Sequence, residues 1–216
     1  MLVGFFDRVF FNVALFACIA GIIYFVTSRA FKNRYHLLDE LLDADMEANS
    51  ARRREVEEEY FYAAQIDSLP VRDNAEGDVA KKQEHVLNCA QQKMVHFPQK
   101  MSNIELKNAY GVANLEKVTG FEENYNRYVM ALVDWADALL ETGGVNEKAD
   151  AIAILESTVA LGSEFRKTYI HLADYYFEKA KADGLEWLLE KVAELFSDEG
   201  IKRQVTQYIM DKKESL

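Results

Sequence analysis

Residues 128–139, YVMALVDWADAL, and residues 169–180, YIHLADYYFEKA, decide the fold. In the first, Tyr128, Ala131, Leu132, Trp135 and Leu139 keep the spacing of one face of an α-helix. In the second, Tyr169, Leu172, Ala173, Tyr176 and Ala180 repeat that face, each 41 residues later. The stretches that follow match as well. Ala149, Ile152, Leu155 and Val159 recur as Leu185, Leu188, Val192 and Phe196, at offsets of 36 to 37. The offset shrinks because the turn at residues 141–148 is about five residues longer than the one near 181–184. A fainter copy, Leu87, Ala90, Gln91 and Met94, stands another 41 residues upstream of the Tyr128 set.

Breaks are predicted at Phe97-Pro98, Thr119-Gly120, Gly143-Gly144, Gly162-Ser163, Asp183-Gly184 and Gly200. The expectation is an all-α body of three helical hairpins with a closing helix over 201–210, enough repeats for a short α-solenoid. With only two Pro and ten Gly in 216 residues, the chain suits long helices joined by short turns. The second unit resembles the tetratricopeptide repeat. Tyr169, Leu172, Ala173 and Tyr176 stand where that family's first helix carries a large, a large, a small and an aromatic residue. Leu185, Leu189 and Val192 fall at its second-helix positions, although the turn Pro is absent and Leu185 takes a site the family keeps small. The resemblance covers residues 121–201 and implies a TPR-like solenoid that binds a protein or peptide.

Outward from this body, residues 9–27 read VFFNVALFACIAGIIYFVT. Nineteen residues at about 1.5 Å each cover roughly 28 Å, close to the roughly 30 Å hydrocarbon core of a bilayer. This run exceeds a signal-peptide core and lacks a small-x-small cleavage site before a polar start, so it reads as an uncleaved transmembrane helix. Arg8 precedes it, whereas Arg29, Lys32 and Arg34 follow, which puts the N-terminus outside and the C-terminal body in the cytosol. Ala17 and Gly21 form a small-xxx-small pair suited to packing against another span, in self-association or within a complex.

Between anchor and body, residues 28–65 hold no Pro or Gly, and Leu37, Leu38, Leu41 and Leu42 recur at helical spacing. Arg53 with Glu57, and Arg54 with Glu58, add i,i+4 pairs to the expected helical stem. A linker follows at residues 68–77. The expected organisation is therefore a tail at 1–8, the span at 9–27, a stem and linker at 28–77, and the repeat domain at 78–216.

The formal charge of −11 opposes both a nucleic-acid footprint and a body lying on anionic lipid. It favours a partner with a basic face. Two cysteines, Cys18 and Cys89, make no disulfide framework. No phosphate-loop, dinucleotide or metalloprotease motif is present, and no catalytic, cofactor or metal residue is assigned. His85 and Cys89 stand at i and i+4, but a structural zinc needs four ligands. Asp134, Asp137 and Glu141 read as a solvated acidic face. The candidate partner-binding residues are the aromatics Tyr128, Trp135, Tyr169 and Tyr176, with core packing as the alternative.

These features point to a membrane-anchored scaffold rather than an enzyme, with an accessory subunit of a larger membrane complex as the second choice. A reporter fused after Leu216 should behave as cytosolic, and robust alkaline-phosphatase activity there would reverse the orientation.

Overall fold

A computed structural model describes Tyr24, Phe25, Thr27, Arg29, Arg34 and residues 38–216. The expected span, with Ala17 and Gly21, lies outside these residues except at Tyr24, Phe25 and Thr27. Among the described residues, no helix is long and apolar enough to cross a membrane. The described chain is mostly helical, in agreement with an all-α class. It divides into two compact units, residues 1–55 with 101–115, and residues 56–100 with 116–216.

In the first unit, residues 38–48 are helical and Ala48 is fully buried. Lys107 Nζ lies 2.6 Å from Asp45 Oδ1. Residues 51–57 are not helical, contrary to the expected stem. The i,i+4 register that would bring Arg53 to Glu57 and Arg54 to Glu58 is therefore missing. Tertiary bonds replace it, since the Arg54 amide donates to Tyr110 O at 3.1 Å and Asn114 Nδ2 donates to Arg54 O.

The second unit opens with the strand β1 (Phe61–Tyr62), antiparallel to β2 (Met94–Val95) and in register Phe61 with Val95. Consecutive aromatics explain why a helical pattern loses here. Phe61 packs on Phe121 at 5.9 Å between ring centroids, and Tyr62 packs edge-on to Tyr125 at 5.2 Å. The expected linker is also fastened down. Arg72 pairs with Glu147 and Asp150, its amide donates to Gln83 Oε1 at 2.9 Å, and its carbonyl accepts from Gln83 Nε2 at 3.0 Å. Residues 56–77 thus fold with the body, and the structural division does not coincide with the expected boundary after Gly77.

Helix α1 (Gly77–Ala90) leads through β2 to the short α2 (Asn103–Tyr110), which belongs to the first unit. Ser102 and Glu105 close a capping box at the start of α2. Met94 sits in a strand and not on a helix, so the faint upstream copy is no third hairpin. Helix α3 (Val112–Thr142) then runs 31 residues straight through the expected break at Thr119-Gly120. The Thr119 hydroxyl bonds within the helix to Glu116 O, and Val118 and Tyr125 bury the face on either side.

The remaining turns fall close to where the sequence puts them. Helices α4 (Val145–Ala160), α5 (Arg166–Glu178), α6 (Ala182–Leu195) and α7 (Glu199–Glu214) follow in order. Helix α5 packs against α4, α6 and α7, and α6 also packs against α7. The core lies among these helices and α3, around Trp135, Leu155, Tyr169, Leu172, Leu185 and Ile209. Tyr176 anchors the second hairpin. Its hydroxyl meets Glu156 Oε1 at 2.7 Å, while its ring lies where a Cβ on Gly184 would stand 2.7 Å away.

Two glycine substitutions should therefore move stability in opposite directions. A Cβ on Gly120 meets nothing within 4 Å, so Gly120→Ala should add about 0.5–1 kcal/mol by removing a helix-interior glycine. Gly184→Ala forces a held ring to shift and should cost about 1–3 kcal/mol. Urea unfolding of both variants checks the signs.

Candidate functional site

The four aromatics singled out from sequence lie in the core. Trp135 and Tyr169 are fully buried, Tyr128 is 2 % exposed and Tyr176 is 6 % exposed. They cannot present a surface to a partner, and their helical spacing is the spacing of packing. The paired positions agree in burial too, Tyr128 with Tyr169, Ala131 with Leu172, Leu132 with Ala173, and Trp135 with Tyr176. Only Ala180 breaks the match, since it stands past the end of α5 with φ of 51° while Leu139 is buried.

The carboxylates of α3 are partly consumed by pairing. Asp134 lies 3.4 Å from Lys82 Nζ. Asp137 faces Lys167 and His171, its Oδ1 2.9 Å from His171 Nε2. Burial raises the Asp137 pKa, but the bonds to His171 and Lys167 outweigh it and hold the carboxyl below its ordinary value. His85 Nε2 is 3.8 Å from Cys89 Sγ. Among the described residues, no three His, Cys, Asp or Glu side chains gather as a metal site.

A cleft of about 320 Å³ opens elsewhere in the second unit. Its walls come from four separate segments. The loop after β2 brings His96 and Lys100, and α3 brings Glu122 and Tyr125. The turn between α4 and α5 brings Gly162 and Glu164, and the end of α6 brings Glu194 and Ser197. Each wall is fixed by its own bonds. The His96 amide donates to Tyr60 O at 2.9 Å, and its ring stacks on Tyr125 with centroids 4.4 Å apart. The Tyr125 hydroxyl donates to Leu161 O at 2.6 Å. Glu164 Oε2 accepts from both the Ser197 amide, at 2.8 Å, and the Ser197 hydroxyl, at 2.7 Å.

Carboxylates outnumber cations in the lining of the cleft. One edge of His96 stays in solvent while its other face lies on Tyr125, and loss of water there pulls its pKa below the ordinary imidazole value. The ring is then neutral at pH 7. Burial raises the Glu122 pKa and Glu123 adds to it, while Lys100 pulls the other way. A poorly hydrated carboxylate gains most from an arriving positive charge. Tyr125 donates to a backbone carbonyl, whereas the Ser197 hydroxyl is held by the Glu164 carboxylate.

Sequence reading touched this site only as punctuation, at the predicted breaks Phe97-Pro98 and Gly162-Ser163. Glu122, Glu164 and Glu194 carried no signal, because no spacing within one helix relates them.

If Trp135 is core, Trp135→Ala should cost about 3–5 kcal/mol and lower the melting temperature sharply. Wild-type melting would place the side chain at the surface. Compared with known proteins, the chain matches no family model, no curated protein and no solved structure.

Proposed function

We propose that this chain is a membrane-anchored scaffold whose helical body holds a cytosolic protein partner, the cleft taking a basic side chain of that partner. The observation that carries this reading is the cleft's composition. Three carboxylates, from Glu122, Glu164 and Glu194, come from three segments, with Lys100 the one Lys or Arg and His96 the one imidazole among the lining residues. An arginine or lysine entering there meets the half-buried Glu122 and the exposed Glu164 and Glu194, and charge-assisted bonds are the stronger kind. The formal charge of −11 steers such a partner toward the body.

Further features support the layout. Tyr24 is 75 % exposed and Phe25 is 64 % exposed, both at the C-terminal end of the apolar run. Aromatics are common where a span leaves the bilayer. The shared burial of the Tyr128 and Tyr169 sets supports a TPR-like relation between the α3–α4 and α5–α6 hairpins, without the upstream third unit. A repeat stack of this kind offers concave binding surfaces. No residue of the body is assigned a catalytic role.

The test uses the full chain in phosphatidylcholine nanodiscs and alanine–serine 12-mer peptides carrying Arg or, as controls, Glu. Fluorescence anisotropy should show the Arg peptides binding and the Glu peptides failing to bind. Glu122→Gln with Glu194→Gln should weaken the Arg peptides at least tenfold. Equal binding of both peptide sets, or no effect of the double variant, would overturn the proposal.

A further inference from the structure

The helix at residues 38–48 leaves its large apolar side chains outside. Leu38 is 53 % exposed, Leu41 49 %, Leu42 55 % and Met46 71 %. At about 100° per residue these four share one face of the helix. Their spacing of i, i+3, i+4 and i+8 is that of an anchoring stripe. Toward its end the helix is fastened, since Ala48 is fully buried and Asp45 pairs with Lys107. Asp39 and Asp43 lie along one border of the stripe with Glu47 beyond them, and Asp45 falls within it. No Lys or Arg stands between Arg34 and Arg52.

Charge decides among the surfaces that could cover this stripe. An anionic lipid surface repels the polar face. A second copy would bring an equally acidic helix against it, and like charges at a helix–helix seam disfavour pairing. A helix with an apolar face bordered by Lys or Arg satisfies both the leucines and the carboxylates. We infer that residues 38–48 dock a basic amphipathic helix of a partner protein, with Leu38, Leu41, Leu42 and Met46 as the apolar contact and Asp39 and Asp43 paired to its cations. This surface is separate from the cleft, and neither reading depends on the other.

The experiment uses the full chain in phosphatidylcholine nanodiscs. The probe is a 14-residue Leu/Lys peptide of helical periodicity, with a Leu/Glu peptide of the same apolar positions as control. The Leu/Lys peptide should bind and the Leu/Glu peptide should bind at least tenfold more weakly. Leu41→Ser with Leu42→Ser should reduce Leu/Lys binding at least tenfold, because exposed positions change without loss of the fold. Asp39→Asn with Asp43→Asn should reduce it severalfold and flatten its salt dependence. Leu41→Ser with Leu42→Ser should leave binding of the alanine–serine Arg peptides unchanged, which separates this surface from the cleft. Indifference to the leucine pair overturns the inference, as does equal binding of the two peptides. Leu41→Cys provides a further check. Disulfide-linked dimers beyond those of the wild-type chain would assign the stripe to self-pairing and overturn it too.

Discussion

The second unit depends on how one turn is held. Residues 161–163 join α4 to α5, and two buried tyrosines from different helices bond to this turn. Tyr125 of α3 donates to Leu161 O at 2.6 Å, and Tyr169 of α5 donates to Ser163 O at 2.8 Å. The turn closes on itself through the Ser163 amide to Thr158 O and the Gly162 amide to Val159 O, both 3.0 Å. A typical hydrogen bond contributes only about 1 kcal/mol net, but leaving such a buried group unpaired costs about 1–3 kcal/mol. Shifting the turn would orphan two phenols at once. Burial pushes both hydroxyls well above the ordinary tyrosine pKa, so they remain donors wherever the protein is folded. The turn therefore has one stable position relative to α3 and α5, and the cleft inherits it. Gly162 forms part of the cleft wall, and Tyr125 carries the His96 ring on its face.

Helical periodicity made the core legible and left the bonds that register it hidden. The spacing of Tyr128, Ala131, Leu132 and Trp135 places them on one buried face because burial follows helical geometry. It says nothing of where a hydroxyl or indole nitrogen ends. Tyr125 reaches a carbonyl 36 residues away, whereas the Trp135 nitrogen finds no acceptor among the described residues. The same limit explains the misread segments. Residues 51–57 carry a fine helical charge pattern, worth only about 0.2–0.5 kcal/mol per pair. Backbone bonds to Tyr110 and Asn114 and the aromatic packing of Phe61 and Tyr62 outweigh it. Thr119-Gly120 looks like a break, but a lone glycine costs only about 1 kcal/mol, less than the burial of Val118 and Tyr125 that carries the helix across it.

The cleft was illegible for a different reason. Its walls combine a loop after a two-residue strand, a helix, a turn and a helix end. Such a site exists only once tertiary structure is set, and no local pattern announces it. The linker was the inverse case, legible as punctuation but read as the boundary before the body. Pro70 and Gly77 do mark irregular backbone, yet Arg72 between them ties that backbone to Glu147, Asp150 and Gln83. Turn chemistry reports local conformation, and attachment depends on residues 75 and 78 positions away.

The charge excess gains meaning from where it is left unspent. Many basic side chains of the second unit bridge neighbouring helices. Lys148 meets Glu178 at 2.5 Å, Lys212 meets Asp174 at 2.7 Å and Lys213 meets Glu186 at 2.6 Å. Exposed pairs of this kind typically contribute only about 0–1 kcal/mol each, so they register helices more than they stabilise them. Their larger effect is to neutralise the carboxylates along those seams. In the cleft Glu194 is paired as well, with Lys191 at 2.6 Å, so the acidic excess is carried there by Glu122 and Glu164 and, in the first unit, by the helix at 38–48. A concentrated field speeds encounter with a basic partner and fades with salt, whereas apolar contact sets how long the complex lasts. The stem helix joins acidic and apolar surface, while the cleft is dominated by carboxylates. Salt should therefore act chiefly on capture at both, and truncation of leucine on retention at the stem alone.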